Sequence, residues 1–183
     1  MKSMLKLKIN NAGIPMVCSA CHWRNRAGCT LREMMVTVVI IAIIAAIALP
    51  SYQNFVRKGV ASQAEQEMQK IAEQLERYKS KNFTYKGFDP NYIYGETNPM
   101  TEIVVPNGAT GSKVKYKITV KDLSDSSKFL TDSTVRGSGW SIQALVVNDP
   151  KNYNLLMTSN GLRCKTRDSV SFTACSGSKV ISW

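Results

Sequence analysis

The chain has 183 residues, of which 44% are hydrophobic and 20% charged, a composition that is ordinary for a globular protein with a buried core. Its formal net charge of +11 favours an anionic partner such as nucleic acid or a membrane surface, but the first 28 residues contribute five basic and no acidic residues. The single histidine, His22, also lies in this basic segment, which excludes a histidine-based catalytic or metal site in the rest of the chain.

An apolar segment follows the basic residues. Residues 34–49 contain one polar side chain and, at ~1.5 Å rise per residue, extend roughly 24 Å as a helix. Leu31 and residues 50–52 bring the segment to the length needed to cross the ~30 Å hydrocarbon core of a bilayer. Arg24 and Arg26 predict that the N-terminus stays in the cytoplasm. The alternative is a fully buried helix of a soluble protein, although no other part of the sequence is suited to enclose it.

Helical periodicity continues beyond Pro50. Apolar residues recur at spacings of mostly three and four and form one stripe, opposite a face rich in Glu, Gln and Lys. Pro50 removes a backbone hydrogen bond and is expected to bend the helix, and Gly59 loosens it further. We predict one helix over residues 30–81, half in lipid and half packed on a domain. The stripe comprises Tyr52, Phe55, Val56, Val60, Ala64, Met68, Ile71, Leu75 and Tyr78.

The C-terminal half of the chain is predicted to form strands. Residues 82–112 are rich in Asn, Gly, Pro and Thr without a sustained period, which indicates a long connection. Residues 113–121 alternate strictly between apolar and polar, and residues 140–148 are typical of a more buried strand. Asn160-Gly161 predicts a hairpin turn between two further short strands. At least four antiparallel strands against the second half of the helix would make an α+β domain.

The start of the apolar segment carries a motif. The stretch Gly28-Cys29-Thr30-Leu31-Arg32-Glu33-Met34-Met35-Val36 resembles the prepilin cleavage motif of type IV pilins, including minor pilins. In that motif a basic leader ends in Gly and the hydrophobic helix begins at once, whereas secretory signals are cut after their apolar stretch. Pro50 also stands at its family position. The resemblance implies the type IV pilin fold, a long kinked N-terminal helix packed on an antiparallel sheet of about four strands.

The same resemblance implies a domain organisation and a processing site. Residues 1–28 would be the leader, 29–52 the transmembrane and filament-core half of the helix, and 53–183 the globular head with a C-terminal disulfide loop. A prepilin peptidase would cut between Gly28 and Cys29 and methylate the new amine of Cys29. Glu33 and Pro50 would serve assembly. A carboxylate at the edge of a membrane helix costs several kcal/mol unless compensated, and the N-terminal ammonium of a neighbouring subunit would compensate Glu33.

Two residues depart from the family pattern. Cys29 replaces the usual phenylalanine at the first mature position, and Arg32 replaces an aliphatic residue. We expect that Arg32 could pair with Glu33 locally and compete with the contact between subunits.

The five cysteines fall into two groups, three before the apolar segment and two near the C-terminus. Cys164 and Cys175 would lie in an oxidising compartment after export, where a disulfide would add roughly 3 kcal/mol of stability. Such a pair resembles the C-terminal disulfide loop of type IV pilins. Two free buried thiols are the alternative.

Other motifs near the N-terminus suggest different classes of protein. Cys18-Ser19-Ala20-Cys21-His22 matches the c-type haem attachment pattern, but it would lie in the cytoplasm and be removed with the leader. Ala27-Gly28-Cys29 is similar to a lipoprotein signal that lacks its apolar stretch, and residues 46–48 could end a secretory signal. No catalytic residue, cofactor or metal site is predicted.

Basic residues on the predicted strands are candidates for DNA contact. The lysines of residues 113–121 would share one strand face, and three more basic residues, Arg163, Lys165 and Arg167, lie near the C-terminal cysteines. They could bind phosphates, or instead protect an edge strand from pairing with another chain, which is the interpretation that we favour here. The candidate DNA contacts are Lys113, Lys115, Lys117, Arg163 and Lys165.

The sequence therefore predicts a structural subunit of a type IV pilus, a minor rather than the major one, that is not an enzyme. Its partners would be other pilin subunits, the prepilin peptidase and the assembly machinery of the bacterial inner membrane, with DNA a weaker candidate. It would cross the inner membrane once before assembly and become extracellular in the pilus. Roles in twitching motility, adhesion or DNA uptake follow from the resemblance. A type II secretion pseudopilin and a DNA-binding receptor pilin are the alternatives.

Overall fold

A computed structural model describes residues 30–183, and the chain divides into two compact units after Ile44. The described part of the first unit, residues 30–44, is helical from Leu31 and has only exposed side chains. The second unit begins at Ala45 and contains the remainder of the helix and a sheet. The predicted helix over residues 30–81 is confirmed as α1, Leu31–Asn82, which continues through Pro50.

Six strands form one antiparallel sheet, and their order in space is their order in the chain. The prediction of about four strands was therefore too low. The two additional strands are short and lie at the sheet edges, where no alternation long enough to recognise could develop. The strands are β1 (Ile103–Val105), β2 (Tyr116–Asp122), β3 (Trp140–Val146), β4 (Asn154–Thr158), β5 (Arg163–Thr166) and β6 (Ile181–Ser182). A short helix α2 (Asn91–Tyr94) and a 3₁₀ turn (Gly111–Lys113) precede β2.

The core of the second unit lies between α1 and one face of the sheet. Helix α1 buries Ala64, Met68, Ile71, Ala72 and Leu75. They face sheet residues that alternate along each strand, because successive side chains of a strand point to opposite faces. The most deeply buried of these are Tyr116, Ile118, Ile142, Ala144 and Leu155. We call this the inner face of the sheet, and the opposite one the outer face.

Two acidic side chains of α1 attach the helix to the rest of the unit. One carboxylate oxygen of Glu76 accepts hydrogen bonds from the Tyr85 hydroxyl at 2.8 Å and from the Trp140 indole N–H at 3.1 Å. The Tyr94 hydroxyl donates to Glu67 at 2.8 Å. Burial raises the pKa of Tyr94 well above its ordinary value, and the bond to Glu67 adds to this increase. These contacts fix the rotation of α1 against the sheet.

Candidate functional site

The start of α1 contains the residues of the processing motif. Gly28 and Cys29 lie outside the described residues. Thr30 caps the helix: the Glu33 carboxylate accepts from the Thr30 backbone N–H at 2.9 Å and its hydroxyl at 3.1 Å, and Thr30 Oγ1 accepts from the Glu33 N–H at 3.3 Å. This reciprocal pair is a capping box. Within residues 30–183 no ion pair joins Arg32 to Glu33, so the expected local partner of Glu33 is Thr30 instead.

The apolar part of α1 has no cover within residues 30–183. Its most apolar 18-residue window has a mean hydropathy of 2.6 and none of it is buried, so α1 is long and apolar enough to cross a membrane. Tyr52 and Phe55, at the end of this apolar stretch, are 67% and 75% exposed. A membrane or neighbouring apolar helices would remove this surface from water.

The lysines of β2 lie on the outer face of the sheet. Lys117 and Lys121 alternate with Ile118 and Val120, whose side chains are in the core. Strand β2 pairs with β1 on one side and with β3 on the other. The edge-protection interpretation is therefore wrong for Lys117, where β2 is an internal strand, whereas β1 does not extend to Lys121. Two other candidate DNA contacts are exposed: Lys113 lies at the end of the 3₁₀ turn, and Lys115 lies just before β2.

An aromatic pair surrounds one of these lysines. The Lys121 ammonium lies 5.3 Å from the ring centroid of Phe129 and 4.9 Å from that of Phe172. Lys117 lies 2.9 Å from the Glu102 carboxylate, and both side chains are more than two-fifths exposed. Cation–π contact holds the ammonium near the rings while leaving its charge available. The outer face thus presents positive charge beside aromatic surface, and the charge is suited to a phosphate backbone.

The other two candidate DNA contacts face the opposite direction. Arg163 and Lys165 of β5 pair with Met157 and Leu155 of β4, which belong to the core cluster on the inner face. Lys165 forms an ion pair with Glu65 of α1 at 3.1 Å. The structure therefore does not bring the five predicted residues together, but places them on two faces.

The C-terminal cysteines form a disulfide, with Cα atoms 6.3 Å apart. Cys164 is 4% exposed and packs with Leu156 and Val170 on the outer face. Two side chains of β3, Ser141 and Gln143, donate to the Phe172 and Val170 carbonyls of the loop that the disulfide closes. We call residues 164–175 the disulfide loop. It places Phe172 next to Lys121.

A second basic surface was not predicted from the sequence. Five basic residues from three separate segments line an open cleft of about 510 Å³ beside α1, together with Asn54, Ser62, Glu65 and Tyr153. We call it the basic cleft, and its basic residues are Arg57, Lys58, Lys151, Lys165 and Arg167. No pattern along the chain could show it, because only the fold brings these segments together.

Comparison with known proteins agrees with this arrangement. An exposed apolar helix that continues into an α+β head with a C-terminal disulfide defines the class of type IV pilins. The family model described as Type IV minor pilin ComP, DNA uptake sequence receptor, matches residues 50–145, and the prokaryotic N-terminal methylation motif matches residues 23–49. Since the first match covers more than half of the chain, the protein belongs to the ComP family of type IV minor pilins. This is a family of structural pilins.

A curated relative supports the same family. The chain is 31% identical over 101 residues to the type IV major fimbrial protein FimA of Dichelobacter nodosus. This similarity covers 52% of the chain and 65% of the relative, so the chain spans slightly less than two thirds of the length of that protein. No solved structure matches the chain.

Proposed function

We propose that this chain is a minor subunit of a type IV pilus that binds duplex DNA on the outer face of its sheet. The observation that carries the proposal is the placement of the β2 lysines on the face opposite α1. In a filament assembled through the N-terminal helices, neighbouring subunits cover α1, whereas the outer face remains accessible. The family description as a DNA uptake sequence receptor supports DNA as the ligand.

The chemistry of the outer face fits a phosphate backbone. Lys117 and Lys121 provide two ammonium groups on this face, and the exposed Lys113 and Lys115 precede them in the chain. Each phosphate contact releases condensed counterions, so every lysine that contacts a phosphate contributes about −0.9 to the slope of log affinity against log salt concentration. Phe129 and Phe172 beside Lys121 add apolar surface. Discrimination between DNA sequences would need further contacts to base edges.

The N-terminal helix would mediate membrane insertion, processing and filament assembly of the subunit. In this proposal the precursor crosses the inner membrane once with its N-terminus in the cytoplasm. The prepilin peptidase cuts between Gly28 and Cys29 and methylates Cys29. The subunit then leaves the membrane for the extracellular filament, where Glu33 compensates the N-terminal ammonium of a neighbour and Pro50 allows α1 to bend. The family match favours this role over that of a type II secretion pseudopilin.

The DNA proposal is tested by the salt dependence of binding. Fluorescence anisotropy of a labelled duplex would be measured with the full chain in detergent, from low to moderate salt. We expect the Lys117→Gln/Lys121→Gln variant to bind more weakly, with a salt slope smaller in magnitude by about 2. Arg163→Gln/Lys165→Gln removes the same charge from the inner face and should keep the wild-type slope. An unchanged slope in the first variant, or an equal loss in the second, would refute the outer-face assignment.

Sequence preference is a separate question with a separate test. Competition with unlabelled DNA from the source genome and with unrelated DNA of equal length would measure it. Stronger competition by the source genome would support a receptor for an uptake sequence. Equal competition would leave a DNA-binding pilin without sequence selectivity.

A further inference from the structure

The basic cleft carries more positive charge than the fold requires. Arg57 pairs with Asp149 at 3.0 Å and Lys165 with Glu65 at 3.1 Å, and all four side chains are about one quarter to one third exposed. These two pairs attach α1 to the loop before β4 and to β5. Asn152 adds a hydrogen bond to the Arg57 carbonyl at 3.2 Å. The two pairs neutralise two of the five basic residues.

The remaining three have no acidic partner among residues 30–183. No carboxylate of this part of the chain lies within 4.0 Å of Lys58, Lys151 or Arg167. Arg167 lies 4.8 Å from the ring centroid of Tyr153, which holds its guanidinium at the cleft without reducing its charge. All three are exposed. An anion in the cleft would therefore meet positive charge from three segments of the chain.

The position of the cleft along α1 indicates the source of that anion. The exposed apolar surface of α1 ends with Tyr52, Phe55 and Val56, and Arg57 and Lys58 follow directly. Aromatic side chains favour the boundary between hydrocarbon and headgroups. Asn54, the first residue of the cleft along α1, is two residues beyond Tyr52, about 3 Å along the helix, and Lys58 is about 9 Å beyond Tyr52. The headgroup layer is roughly 5–8 Å thick on each side of the hydrocarbon core. The cleft therefore begins inside the headgroup layer, and Lys58 lies at the outer edge of this layer.

We propose that the basic cleft binds the phosphate headgroup of an anionic phospholipid while the subunit waits in the membrane. The ligand chemistry is a phosphodiester with its glycerol, which a cleft of about 510 Å³ accommodates within the usual size range of ligand sites. Lys58, Lys151 and Arg167 supply the charge, and Asn54 and Ser62 supply hydrogen-bonding groups. The bound lipid fixes the depth of the head on the membrane and is released when α1 enters the filament. This proposal does not depend on DNA binding by the outer face.

DNA is the less suitable occupant of this cleft. The cleft adjoins α1, which neighbouring subunits cover in a filament, and a subunit in the membrane would hold it against the lipid headgroups. A duplex could reach it in neither state, whereas a headgroup reaches it without leaving the bilayer. Free phosphate shares the chemistry of the headgroup, so the experiment must separate these sources.

Native mass spectrometry of the full chain in detergent tests the proposal. The protein would be titrated with phosphatidylglycerol or with phosphatidylcholine of the same acyl chains, and the lipid-bound fraction measured. Each basic residue near an anionic lipid surface contributes about a fivefold change in binding. We therefore expect the variant Lys58→Gln/Lys151→Gln/Arg167→Gln to lose on the order of 100-fold in phosphatidylglycerol affinity. Arg57 and Lys165 stay unchanged in this variant, so the two ion pairs of the cleft are retained.

A matched control removes the same charge elsewhere. The variant Lys81→Gln/Arg136→Gln/Lys179→Gln changes three exposed basic residues outside the cleft and should bind phosphatidylglycerol as the wild type does. The proposal is overturned if the cleft variant keeps wild-type affinity, if both variants lose affinity equally, or if phosphatidylcholine binds as tightly as phosphatidylglycerol. Displacement of the lipid by an equal concentration of inorganic phosphate would reassign the cleft to free phosphate. Loss of duplex binding without loss of lipid binding in the cleft variant would reassign it to DNA.

Discussion

The disulfide loop should contribute a measurable share of the stability of the head. The bond closes a loop of eleven residue steps between Cys164 and Cys175. Restricting the unfolded chain by a loop of this length is worth about 3 kcal/mol. For a domain of this size, 1 kcal/mol corresponds to about 2–4 °C in melting temperature. The variant Cys164→Ala/Cys175→Ala should therefore melt about 6–12 °C below the wild type.

The assay is thermal unfolding followed by near-ultraviolet circular dichroism. This signal reports on buried aromatic residues such as Trp140, which is 3% exposed, and does not depend on the helicity of the apolar segment. A reductant should lower the melting temperature of the wild type by a similar amount and leave that of the double variant unchanged, which serves as the control. A difference below about 1 kcal/mol between wild type and variant would refute the reasoning. In that case the contacts of Ser141 and Gln143 would hold the loop without the covalent bond.

Further substitutions test the attachment of α1 and its proposed role. Glu76→Ala removes the acceptor of the Tyr85 hydroxyl and the Trp140 indole N–H, and because Glu76 is exposed, water replaces part of these bonds. The loss in denaturant unfolding should be about 1–3 kcal/mol, and a loss below about 0.5 kcal/mol would contradict the paired acceptor. Gly137→Ala places a Cβ against the Lys86 backbone at a φ of +64° and should lower the free energy of unfolding by at least about 2 kcal/mol. Unchanged stability of this variant would contradict the expectation. Because burial raises the pKa of Tyr94, the folded state keeps this proton above pH ~10, where the unfolded chain loses it. The contribution of Tyr94 to the free energy of unfolding is thus full below pH ~10 and decreases above it. In unfolding experiments at alkaline pH, Tyr94→Phe should make the decrease of stability with pH shallower. An equally steep decrease would count against burial of Tyr94 as its cause. Glu33→Gln should retain membrane insertion but lower the amount of subunit in sheared filaments, and normal incorporation would exclude the proposed charge pair.

The sequence predicted the elements whose pattern is local and long. Helix α1 follows from the three-and-four spacing of its apolar residues, and Ala64, Met68, Ile71 and Leu75 of that stripe are buried as the pattern indicates. The β4–β5 hairpin follows from Asn160-Gly161, because Gly161 adopts a φ of +86° that glycine allows without strain.

What the sequence could not predict depends on contacts between distant segments. Strands β1 and β6 have three and two residues, too few for a periodic signal. Without β1, the lysines of β2 looked like those of an edge strand, and the role proposed for them changed once the pairing was known. The basic cleft combines residues 57–58, 151 and 165–167, and the pattern of none of these segments indicates a shared site.

The intact mass and N-terminal sequence of the membrane-bound protein test the central claim most directly. Both would be measured after expression with and without a prepilin peptidase. A processed pilin should begin at Cys29 and carry one additional methyl group only when the peptidase is present. A chain that begins at Leu49, or one with a diacylated Cys29, would contradict the assignment and leave a secreted or lipid-anchored domain.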